Sequence, residues 1–125
     1  MKLRIKGNTL RLRLSQTEVK KFASEGQVSD SISFPAGQLI YTLLADDCDK
    51  IDASFNETFV TVSLPKDKGH HWATSEQVGL SAEVPISAEE SLSVLVEKDF
   101  QCLKPREGED ESDLFRNPAA TDEHC

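Results

Sequence analysis

The stretch "KLRIKGNTLRLRLSQTEVKKFASEG", residues 2–26, decides the fold. Residues 2–6 and 9–14 alternate charged or polar with apolar residues, the period of a strand with one face in the core. Gly7–Asn8 sits between the two runs. A Gly-Asn pair there predicts a two-residue hairpin, because both residues accept positive φ. Leu3, Ile5, Leu10, Leu12 and Leu14 then share one face, and Lys2, Arg4, Lys6, Arg11 and Arg13 the other. Ser15 followed by Glu18 is a capping box, which opens a helix. Val19, Phe22 and Ala23 fall on one helical face. Gly26 suits the left-handed position just past the helix end.

Outward from this stretch, the apolar pattern recurs about fifty residues later. Met1, Leu3 and Ile5 match Ile51, Ala53 and Phe55; Leu10, Leu12 and Leu14 match Val60, Val62 and Leu64. Phe22–Ala23 match Trp72–Ala73, Gln27–Val28 match Gln77–Val78, and Pro35 matches Pro85. After a three-residue insertion, Leu39, Tyr41 and Leu43 match Leu92, Val94 and Val96, and Asp46 matches Asp99. Two β-β-α-β-β units follow, 1–46 and 51–99. The later strands are expected near 28–34, 38–45, 78–86 and 91–98. The second helix is weaker: Pro65 can open it, but Gly69 costs it about 1 kcal/mol relative to alanine. The expected architecture is α+β, a pseudo-symmetric sandwich or closed barrel over residues 1–100, with an acidic irregular extension over 101–125. Strand order, and any exchange of hairpins between units, stays open. The order strand, short helix, glycine, strand pair resembles that of swapped-hairpin transcription-factor domains.

The chain has 125 residues and a net charge of −8, unevenly placed. Residues 1–21 hold seven basic side chains against Glu18 alone, and residues 101–125 hold three basic against seven acidic. Such ends attract one another. No apolar run approaches the roughly 20 residues that span a bilayer. The basic–apolar alternation at the start is a strand pattern and not a signal peptide, and three cysteines do not make a secreted disulfide framework. The expected location is the cytosol.

Catalytic signatures are missing from the sequence: no G-x-S-x-G elbow surrounds a serine and no glycine-rich phosphate loop is present. Cys48, Cys102, His124 and Cys125 together supply three thiols and an imidazole, a donor set that suits tetrahedral zinc. Cys102 is also a candidate reactive thiol, with Lys104 and Arg106 nearby. His70–His71 reads as surface. Arg4, Lys6, Arg11 and Arg13 form a basic strand face open to phosphates or to the chain's own acidic tail, without aromatic residues for base stacking. Leu114–Phe115, two apolar residues in an acidic segment, are expected to anchor the tail in a groove of this domain or of a protein partner.

"MKLRIKGNTLRLRLSQTEV" and "LVEKDFQCLKPREGEDESDLFRNP" carry a resemblance to an uncharacterised bacterial family of small proteins, a domain of unknown function. The resemblance implies that the tail motif belongs to the protein, and it implies no activity, cofactor or partner. The leading expectation is a non-enzymatic interaction module using the sheet surface and the Leu114–Phe115 tail. Zinc binding, then weak nucleic-acid binding by the basic hairpin, are the alternatives.

Overall fold

The structure, a computed structural model, describes residues 1–101 and 112–116. In chain order the elements are β1 (Lys2–Lys6), β2 (Thr9–Leu14), α1 (Gln16–Glu25), β3 (Gln27–Phe34), β4 (Gly37–Asp46), β5 (Asp52–Asn56), β6 (Phe59–Pro65), α2 (Lys66–Thr74), β7 (Gly79–Pro85) and β8 (Ser91–Lys98). The fold is α+β with two mixed four-stranded sheets, ordered β1-β2-β8-β7 and β3-β4-β6-β5. No ladder joins the outer strands β1 and β7 to β3 and β5, so the barrel alternative is not formed among the described residues.

Each hairpin pairs with one distant in sequence. The β1–β2 hairpin lies beside β7–β8, with β2 and β8 parallel and Leu12 opposite Val96. The β3–β4 hairpin lies beside β5–β6, with β4 and β6 parallel and Leu43 opposite Val62. Parallel central strands put both turns of a sheet at one end, and the helices leave from the other.

Alternation then delivers the core. Leu12, Leu14, Val94 and Val96 from one sheet meet Val28, Leu43, Val62 and Leu64 from the other, with Val19, Phe22 and Trp72 from the helices. Each such fully buried side chain contributes roughly 1.5–3 kcal/mol. Phe22 and Trp72 meet edge to face at 5.9 Å, and Tyr41 crosses between sheets to donate to the Met1 carbonyl at 2.8 Å.

Local signals in the opening stretch appear as expected. Ser15 and Glu18 form both halves of the capping box, and Gly26 takes φ 78° as the C-cap of α1. The first turn differs in one respect: Gly7 has φ 55°, but Asn8 is not left-handed. Contacts with β8 hold Asn8 instead, its amide donating to the Ser91 carbonyl at 2.7 Å and its carbonyl accepting from Ser93 at 3.1 Å.

Gly69 has a packing reason that its helix position concealed. A Cβ there would lie 3.0 Å from Cζ of Phe22, so the glycine permits α2 to approach α1. Two of the sequence matches shift: β7 begins at Gly79, so Gln77–Val78 precede the strand, and Pro85 ends a strand while Pro35 lies in a turn. Leu80, opposite Val96, stands where Val28 stands opposite Leu43.

Candidate interaction site

A helix start leaves its first amides without intrahelical partners. In α1 these are Gln16, Thr17 and Glu18, since Val19 already donates to the Ser15 carbonyl. Ser15 Oγ accepts from Glu18. The other two go to a residue almost a hundred positions away. Gln16 N–H donates to the Asp113 carbonyl at 2.8 Å, and Thr17 N–H to the Asp113 carboxylate at 3.3 Å. The Thr17 hydroxyl donates to the same carboxylate oxygen at 2.9 Å, and the Gln16 side-chain amide to the Leu114 carbonyl at 2.8 Å. Hydrogen bonds from Thr17 and then Ser15 hold the Asp113 carboxyl below the ordinary value for an aspartate.

The exit of β8 supplies the other wall. Asp99 N–H continues the ladder to the Leu14 carbonyl. The Asp99 carbonyl then accepts from Phe115 N–H at 2.8 Å, and Gln101 N–H donates to the Phe115 carbonyl at 2.7 Å. The Phe100–Phe115 bridge is thus a short parallel strand addition. The Phe115 ring lies 5.9 Å from that of Phe100, with the Lys98 ammonium 5.5 Å from its centroid. Lys98 is buried, which pushes its pKa down, and it donates to the Ser75 carbonyl at 2.6 Å just past the end of α2. Asp99 is buried too, its carboxylate 2.9 Å from Lys2 Nζ.

Asp113, Leu114 and Phe115 are therefore read by a backbone ladder, a helix N-terminus and an aromatic shelf together. Of the expected anchors, Leu114 and Phe115 lie half-buried on the chain's own domain. Asp113, Thr17 and Gln16 were not singled out from sequence, and the only local hint was an acid beside the Leu-Phe pair.

The other predicted residues lie elsewhere. Arg4, Lys6, Arg11 and Arg13 share the outer face of β1–β2, and Arg13 also lines a small pocket with Lys98, Asp99 and Phe100 beside the Asp113–Phe115 seat. Arg11 and Arg13 approach the Glu97 carboxylate, at 3.1 and 3.8 Å. Acidic Glu107, Glu109, Asp110 and Glu111 lie outside the described residues, as do Cys102, His124 and Cys125 of the zinc set. Cys48 is described, and its thiol pKa is raised by burial and by Asp46, Asp49 and Asp52. No group of three metal-ligating side chains occurs among the described residues. His70 and His71 are both exposed. His70 edges a cleft of about 340 Å³ shared with Glu25, Gln27 and Lys66. No helix among the described residues is long and apolar enough to cross a membrane.

The model of a family of unknown function (DUF7009) matches residues 1–119. Comparison with curated proteins and with solved structures finds no match for the chain.

Proposed function

Because the chain belongs to a family of unknown function, we propose its role from geometry: it is a non-enzymatic, cytosolic interaction module that recognises a short acidic–aromatic segment. The observation that carries this reading is the seat of Asp113–Phe115. One residue supplies a carboxylate to the α1 N-terminus, and two residues later a phenyl ring meets Phe100 and Lys98. Strand addition contributes affinity and side-chain pockets contribute specificity, the usual division in peptide recognition. The chain's own segment fills the seat as a tethered ligand. A partner protein bearing an Asp-Leu-Phe-type segment exchanges with it, at a disadvantage because the resident segment belongs to the same chain.

We read the two β-β-α-β-β units as a duplication, supported by equivalent registers: Leu10 opposes Val94 as Val60 opposes Tyr41. Under that reading the seat is where the symmetry is broken, since the Ser15 cap has no counterpart at Pro65, whose helix start carries no side-chain cap.

The test is fluorescence anisotropy with a labelled peptide spanning residues 110–118. A Phe115→Ala chain, its own segment loosened, should bind the peptide at least tenfold more tightly than the native chain, the loss of tethered competition being of that order. No binding to either chain at millimolar concentration refutes the reading.

A further inference from the structure

The outer face of β1–β2 carries an arrangement that the Asp113–Phe115 seat does not use. Arg4 stands directly opposite Arg11 in the antiparallel pair, and Lys6 opposite Thr9. Like charges directly opposite on a sheet destabilise it. Arg11 is relieved by Glu97 at 3.1 Å, while Arg4 and Lys6 have no ion pair among the described residues. Their side chains, with Thr9 and Arg11, line a depression of about 230 Å³. β1 is an outer strand, so the depression is open from its side.

We propose that this depression binds a compact phosphorylated ligand. Two guanidinium groups offer forked donors that match phosphoryl oxygens, and Lys6 adds a point charge. The Thr9 hydroxyl adds a neutral donor. The borders of the face argue for a small ligand. Across β2, the neighbouring strand β8 places Glu97 opposite Arg13, and beyond it Glu83 on β7 stands opposite Ser93. Glu83 accepts from the Ser91 and Ser93 hydroxyls at 3.1 and 2.9 Å, which holds its charge in place. An extended polyanion lying across the sheet meets both carboxylates; a ligand with one or two phosphoryl groups between Arg4, Lys6 and Arg11 stays clear of Glu83 and meets Glu97 only where that carboxylate is already paired with Arg11 Nε. The cationic patch is bounded, and the face has no aromatic side chain on which to stack a base.

The experiment is a titration of the full chain with inorganic pyrophosphate at low ionic strength, followed by amide and side-chain NMR shifts. One saturable site is expected, with shifts concentrated at Arg4, Lys6, Thr9 and Arg11. Arg4→Gln should weaken binding about tenfold, the scale of one lost charged hydrogen-bond donor. Its thermal midpoint should not fall below that of the native chain, because the substitution removes a like-charge contact. A Lys20→Gln–Lys21→Gln chain, altered on α1, should bind as the native chain does. Shifts spread equally over Lys20, Lys21 and Lys66, or equal affinity in the Arg4→Gln chain, overturn the site. Affinity for a single-stranded oligonucleotide that grows with length while pyrophosphate fails to saturate also overturns it, in favour of a general polyanion surface.

Discussion

The Thr17 hydroxyl donates to the Asp113 carboxylate at 2.9 Å across 96 positions of sequence, tying the start of α1 to the described tail segment. The bond sits where a helix start favours negative charge, because its free amides and dipole both point outward there. The contact completes the set of hydrogen bonds at the α1 N-terminus, which Ser15 alone leaves unfinished.

The pH dependence of this contact has a definite sign. Asp113 titrates at an ordinary value, 3.8, when released and lower when seated, through hydrogen bonds from Thr17 and then Ser15. Docking favours the ionised form. Its contribution is complete above the ordinary value and is lost as pH falls through the lowered one. Phe115 ring shifts, followed by NMR from neutral pH downward, should stay constant until below about pH 4 and then move toward free-peptide positions. A transition near pH 6 contradicts the assignment.

Gly69→Ala should destabilise the protein although alanine is the better helix former. The gain is about 1 kcal/mol in propensity. Against it stands a Cβ 3.0 Å from a Phe22 ring that is itself fully enclosed and packed on Trp72. Overpacking of this kind costs typically 1–3 kcal/mol, so a net loss of about 1 kcal/mol is expected from urea unfolding. Adding Phe22→Leu should make the two effects non-additive, since the residues touch.

Glu57 adopts φ 56° in the β5–β6 turn, the conformation that Gly7 adopts in the β1–β2 turn. A left-handed residue with a side chain carries about 1–2 kcal/mol of strain. Glycine removes it but adds freedom to the unfolded chain, about 0.4–1 kcal/mol in the other direction. Glu57→Gly should raise stability by up to about 1 kcal/mol, read as a higher urea midpoint with unchanged slope.

Cys48 should be a slow nucleophile. Burial, then the carboxylates of Asp46, Asp49 and Asp52, push its pKa above the ordinary 9.0, outweighing the hydrogen bond from the Lys50 amide. The thiolate is the reactive form. Alkylation at Cys48, mapped by mass spectrometry, should be slower at pH 7.5 than for a free cysteine peptide and should accelerate past pH 9. Fast modification at neutral pH contradicts this environment.

What was legible in the sequence was local. Alternation assigned Leu3, Leu12 and Leu14 to one face, Ser15 and Glu18 marked the helix start, and Gly26 its end, because each signal lies within a few residues. Neighbouring strands are another matter. Alternation says which face of β2 is apolar but not that β8 lies beside it, so the pairing of hairpins distant in sequence could not be read. Gly69 looked like a weakness because the Phe22 ring that requires it lies 47 positions earlier. The Leu114–Phe115 anchor was legible as two apolar residues among acids. Its receptor was not, because backbone groups at Gln16, Thr17, Asp99 and Gln101, which have no sequence signature, combine there with side chains of Gln16, Thr17, Lys98 and Phe100 drawn from two distant parts of the chain.

The most direct test of the seat is hydrogen exchange of the Gln101 and Phe115 amides in the full chain at pH 7, native and Phe115→Ala. The seat predicts protection of both in the native chain. The substitution should release them together with Gln16 and Thr17 while amides of β2 and β8 stay protected. Exchange of residues 101 and 115 at free-peptide rates in the native chain would contradict it, since Asp113–Phe115 would then have no seat to fill.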